Sequence, residues 1–205
     1  MAPPTSAEIL RRASETLNTA RAGLNDLRED PERRLAGLSN TVVFGRAVTN
    51  VLENLRSIEP TFDSWYQQVS RDLADDPLMK FFYSLRSQIL KRGDMGVAPY
   101  VHIKAFSSAD LPKFGPPPAN ARGFFMGDQL GGVGWEVETS PGVTERYYVD
   151  LPADIGTAGL YFRDAPVGVS SSERHSADIV PLCERYLDRM QSVLNDARAR
   201  FGSGV

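Results

Sequence analysis

The chain has 205 residues, of which 41% are hydrophobic and 24% charged, and a formal net charge of -3. That length and apolar content suit one ordinary domain, or one domain with a substantial insertion, and the mild acidity argues against a dedicated DNA-coating protein while leaving room for a local basic patch. A lone cysteine, Cys183, excludes an internal disulfide framework and a zinc site built on several thiolates. No apolar run approaches the roughly 20 residues that cross a bilayer, and MAPPTSAEILRR at the start lacks the apolar stretch of a secretory signal. A cytoplasmic protein without membrane association is expected.

Thr5 and Glu8 have the spacing of a capping box, and Ile9, Ala13, Leu17, Ala20, Leu24 and Leu27 follow at helical intervals. A first helix is predicted from about Ser6 to Glu29. Asp30 and Pro31 read as a second helix start, followed by Leu35, Leu38, Val42, Val43, Val48, Val51, Leu52 and Leu55. Gly37 and Gly45 each weaken that stretch by roughly 1 kcal/mol relative to alanine, so either a break near Gly37 or a close helix contact at Gly45 is expected. Phe62, Trp65, Tyr66, Val69 and Leu73 mark a third amphipathic helix. Asp76 and Pro77 then open a fourth, with Leu78, Phe81, Phe82, Leu85 and Ile89 on one face and Gly93 as its stop.

Beyond Gly93 the pattern changes. Val97 to Phe106 alternates as a strand does, and KFGPPPANARG is a loop. Short strand-like runs at Gly123 to Met126, Val133 to Glu138, Arg146 to Leu151 and Leu160 to Arg163, separated by Gly131-Gly132 and Pro141-Gly142, predict an antiparallel meander of about four or five strands. The serine run Ser170 to Ser172 closes it. From about Pro181 to Phe201 an apolar stripe of Leu182, Cys183, Tyr186, Leu187, Met190, Val193, Leu194 and Ala197 predicts a last helix that packs beside the earlier ones, with Cys183 a small core residue. The expected class is α+β: mainly a helical bundle, 1–95 and 176–205, with an antiparallel β-meander, 96–175, inserted before the C-terminal helix.

The run Phe81 to Gly93, FFYSLRSQILKRG, resembles the signature helix of the HEPN superfamily. Its members are helical-bundle proteins, often dimers, found in toxin-antitoxin and phage-defence systems. In that family an Arg, a small polar residue and then a His line a composite site in which two protomers cut RNA without metal. Arg86 and Ser87 match the first part, and Lys91 stands where the commonest spacing puts the His. The resemblance covers this helix in detail and the bundle from Leu35 to Gly93 loosely, and it does not account for the meander. Metal-independent RNA cleavage needs a base and an acid near neutral pKa, which histidine supplies, whereas a lysine stays charged unless burial or neighbouring cations lower its pKa. The resemblance thus implies Arg86, Lys91 and Arg92 as phosphate contacts in a site that binds better than it cuts. An alternative account of the charges is helix-dipole complementation, with Asp72, Asp75 and Asp76 before the start and Lys91 and Arg92 at the end. That account leaves Arg86 unexplained, because an arginine beside an apolar stripe takes a carboxylate, Glu53 for instance, or an anion.

Other residues carry weaker signals. His102 and His175, the only histidines, have no motif spacing and read as a pleat residue and a loop residue. Glu136 and Glu138, with Asp128 or Asp150, would be metal ligands or a solvated strand face, and the latter is the commoner arrangement. GDQLGGVG at Gly127 to Gly134 lacks a P-loop lysine and reads as a hairpin turn. Trp135, Tyr147 and Tyr148 beside Arg146 would stack on bases or fill pleat positions. No cofactor and no metal are expected. Three readings stay open: a non-catalytic HEPN-like homodimer that binds RNA or a protein partner in a bacterial or phage conflict or stress system, a metal-independent endoribonuclease using Arg86, and an adaptor acting through the meander.

Overall fold

The computed structural model describes residues 4–166 and 178–202, and its class is α+β. The chain divides into two compact units, one from Met1–Gly96 with Asp164–Val205 and one from Val97–Arg163. Ser170 to Ser172 and His175 lie outside the described residues.

The first unit is helical: α1 (Ser6–Glu29), α2 (Arg34–Leu52), α3 (Phe62–Asp75), α4 (Pro77–Arg92) and α5 (Ile179–Phe201). Local chemistry sets several ends. Thr5 Oγ1 accepts from the Glu8 N-H at 3.3 Å while the Glu8 carboxylate accepts from the Thr5 N-H at 2.9 Å. Asp76 Oδ1 accepts from the N-H groups of Leu78 and Met79 at 2.8 and 3.3 Å, and Gly93, at φ 68°, closes α4 by donating to the Ile89 carbonyl. Asp30 does something else. Its carboxylate accepts from Glu32 and Arg33 N-H groups within a turn, so α2 starts at Arg34, capped by no side chain.

Gly37 does not break α2. It abuts Gly23 of α1, where a Cβ on Gly37 would stand 2.5 Å from the Gly23 carbonyl oxygen and from the Leu27 nitrogen. Backbone thus meets backbone, and the Thr41 hydroxyl donates at 2.8 Å to the Gly37 carbonyl. Gly45 makes the expected close contact, against the ring of Tyr186 on α5. Helix α5 lies in the core through Leu182, Cys183, Tyr186, Leu187, Met190 and Leu194, burial pushes the Cys183 thiol up, and the Trp65 indole N-H donates to Asp196 at 2.5 Å.

In the second unit the strands are β1 (Val97–Ile103), β2 (Ala121–Met126), β3 (Val133–Ser140), β4 (Val143–Val149) and β5 (Gly156–Phe162). The single meander expected from the sequence is corrected here. Only β2-β3-β4 form a meander, and β1 pairs antiparallel with β5 in a separate two-stranded sheet, Val97 opposite Phe162. Phe114, in a 3-10 turn at Ser108–Phe114, packs with Val133 and Ile155, and its ring meets Phe124 at 4.8 Å. Among the described residues no helix is long and apolar enough to cross a membrane.

The glycine seam gives a direct prediction. Gly37→Ala, favoured by helix propensity alone, destabilises the protein by about 1–3 kcal/mol because the added methyl overpacks backbone. Gly93→Ala meets no atom within 4 Å and costs about 1–2 kcal/mol through its left-handed conformation. Urea unfolding followed by helical circular dichroism measures both, and an unchanged midpoint for Gly37→Ala contradicts the packing argument.

Candidate functional site

Helix α4 presents Arg86 half-buried, one residue beyond the buried Leu85. Its guanidinium makes no ion pair with a described carboxylate, and its Nε is buried without a hydrogen-bond partner. Glu53, the carboxylate suggested from the sequence, is engaged elsewhere: it accepts from the Tyr66 hydroxyl at 2.7 Å and lies 3.8 Å from Arg56. Arg189 on α5 has a second buried, unpartnered guanidinium Nε. Each arginine sits one turn along its helix from the parallel rings of Phe82 and Tyr186, whose centroids are 4.2 Å apart.

The other motif residues do not converge on Arg86 within one chain. Ser87 Oγ donates to the Tyr83 carbonyl at 3.2 Å, a bond within α4. Lys91 and Arg92 are exposed in the last turn. Five helical residues turn through about 500°, so Lys91 points some 140° away from Arg86. His102 is exposed on β1, in the second unit.

A cleft of about 480 Å3 opens among α2, α3, α4 and α5. Leu73, Ala74, Met79 and Met190 supply apolar wall, Arg46 and Lys80 supply charge, and no carboxylate lines it. The Arg46 guanidinium lies 5.7 Å from the ring centroid of Tyr83, which is 57% exposed at the rim, and donates to Asn50 at 3.3 Å. Deeper, the Tyr186 hydroxyl donates to the Val42 carbonyl at 3.3 Å. Burial raises the pKa of that phenol, opposed by the charges of Arg46 and Arg86. Burial likewise raises Tyr66, reinforced by its bond to Glu53. This cleft escaped the sequence reading. One signal was present: Arg46 is the only charged side chain from Leu35 to Leu52.

In the second unit Asp128 and Glu138 are internally satisfied. Asp128 is 8% exposed and accepts from the N-H groups of Leu130 and Gly132, the Tyr148 hydroxyl at 2.7 Å and Arg146 at 2.9 Å. Burial pushes its carboxyl up, but those donors and the charge of Arg146 prevail and hold it below the ordinary value. Glu138 accepts from Arg122 at 2.7 Å, and Glu136 is exposed. Among the described residues no three His, Cys, Asp or Glu side chains group as metal ligands. Gly127 to Gly132 form a hairpin connection held by Asp128, and Trp135 is buried against Phe124 at 4.8 Å.

Fold and site together define an α+β protein whose helical unit carries a cationic, apolar-walled cleft. Residues 21–122, close to half of the chain, match the family model described as bacteriophage lambda protein ea47. The match includes Arg46, Lys80, Arg86, Lys91 and Arg92 and stops before Tyr186. No curated protein and no solved structure matches significantly.

The Asp128 hub carries a pH dependence. A carboxyl held low in the folded state contributes stability above the ordinary carboxylate pKa of about 4, and that contribution disappears as the pH falls through its lowered value. Tyr148→Phe removes one bond to the charged acceptor and costs about 1.5–3 kcal/mol. Amide exchange at Leu130 and Gly132 reads both effects: faster in the variant at pH 7, and, once corrected for intrinsic exchange rates, less protected in the wild type under acid.

Proposed function

We propose that this chain is a HEPN-like, non-catalytic helical-bundle protein of a phage conflict or stress system, homodimeric, that binds RNA through α4. The observation that carries the reading is Arg86: a half-buried guanidinium with no carboxylate partner among the described residues and a buried Nε donor left unsatisfied. With no described carboxylate to hold it, the accessible part of this guanidinium is open to an anion, and a phosphate oxygen is a natural acceptor for it. Lys91 and Arg92, exposed at the end of the same helix, add sequence-independent phosphate contacts.

Binding is favoured over cutting because a base and an acid are needed together, and the residues around Arg86 offer neither at short range. Ser87 is committed to the Tyr83 carbonyl, and Lys91 lies on another face. The phage setting rests on the similarity of residues 21–122 to the lambda ea47 family model. The dimer rests on the HEPN resemblance, and Tyr83 and Leu90, seven residues apart and each 57% exposed, offer an apolar stripe for it.

Purified protein incubated with total RNA in a chelator and resolved on a native gel tests the reading. Retention without cleavage is expected, weakened about 10- to 100-fold in Arg86→Gln by loss of a charged hydrogen bond, with circular dichroism unchanged. Retention should also fall as salt rises, with a shallower slope in Lys91→Gln/Arg92→Gln. Cleavage that disappears in Arg86→Gln replaces this reading with the ribonuclease one, and absence of both retention and cleavage rejects RNA as the ligand.

A further inference from the structure

The cleft among α2, α3, α4 and α5 is separate from the proposed RNA contacts, since neither Arg86 nor Lys91 nor Arg92 lines it, and shares only the rim residue Tyr83 with the stripe proposed for the dimer. Its volume, about 480 Å3, falls within the range typical of small-molecule sites. Its polar groups are unevenly distributed. The hydroxyls of the two inner tyrosines are used up inside the protein, Tyr66 donating to Glu53 and Tyr186 to the Val42 carbonyl, and the Thr49 hydroxyl donates to the Arg46 carbonyl. Apart from the hydroxyls of Ser70 and Ser84, the rest of the uncharged lining is apolar: ring faces, Leu73, Ala74 and the two methionines, whose flexible thioethers adapt to an irregular guest.

The charges are of one sign. Arg46 is half-buried and Lys80 exposed, neither pairs with a carboxylate among the described residues, and none of the lining residues is acidic. A cation bordering apolar wall with no internal counter-ion calls for an anion on the guest. We infer that this cleft binds a small amphipathic carboxylate, with its apolar body against Met79 and Met190 and its carboxylate held by Arg46 and Lys80. Guanidinium and carboxylate match in a planar, two-pronged geometry, and Lys80 adds a mobile point charge.

Calorimetric titration with decanoate, below its micelle concentration, is the test, with decanol and decylammonium as guests of the same body and different head. The expected result is saturable binding of one decanoate per chain, at least tenfold tighter than decanol, with decylammonium weaker still. Arg46→Gln/Lys80→Gln should reduce decanoate affinity at least tenfold and leave decanol unchanged. Ser84→Trp, an exposed lining position where a large ring can be added without disturbing the core, should abolish binding of both guests while thermal unfolding stays that of the wild type. Arg122→Gln in the second unit should bind as the wild type does. Equal binding of decanoate and decanol, indifference to the double substitution, or no saturable binding to the folded wild type each overturns the inference. None of these outcomes bears on retention of RNA, so the two readings fail separately.

Discussion

The seating of Tyr186 against Gly45 is the contact on which the helical unit turns. The ring of Tyr186 comes from α5, far along the chain, and occupies a slot on α2 that exists only because residue 45 has no side chain: a Cβ there would stand 2.5 Å from the ring. On its other side the ring stacks on Phe82 of α4 at an interplanar angle of 12°, and its hydroxyl donates to the Val42 carbonyl. One buried phenol therefore fixes three helices relative to each other. The polar end of the ring is satisfied, as a buried tyrosine requires, and the slot offsets the propensity that glycine sacrifices in α2.

The same ring lines the cleft. Arg46 from α2, Lys80 from α4 and Met190, one turn beyond Tyr186 on α5, border the space beside it. The cation nearest the ring on α2 leans on Tyr83 rather than on an acid. Packing and electrostatics are thus linked through a single side chain.

Much of this was legible locally and little of it at long range. The Thr5–Glu8 box, the Asp76–Pro77 start, the Gly93 stop and the buried Cys183 are decided by neighbours within one or two turns, and the pattern around each shows it. The contact at Gly45 was visible as a weakness in an otherwise apolar helix, but its partner, more than a hundred residues away, was not. Asp30 had the same cap-plus-proline appearance as Asp76 and instead closes a turn, because the next residues, Glu32 and Arg33, take its carboxylate before the helix begins. The β1–β5 pair was missed for a related reason: alternation marks a strand but carries no information about which strand accepts its hydrogen bonds. The cleft was least legible of all, since its lining is gathered from four helices and only the isolated charge of Arg46 stands out in the linear pattern.

Net charge is a poor guide to what such a protein binds, and the pairing of individual cations is a better one. The chain is acidic overall, yet its carboxylates are spent unevenly. Arg11, Arg28, Arg33, Arg56 and Arg122 each face an acid in an exposed pair worth little to stability, while Arg146 faces the buried Asp128. Arg46, Lys80 and Arg86 pair with no described carboxylate, and all three lie on α2 or α4, the helices joined by the Tyr186 ring. A half-buried guanidinium without a counter-ion is unfavourable to folding, so its persistence beside Tyr186, within reach of an apolar cleft, is easier to reconcile with an anionic ligand than with architecture.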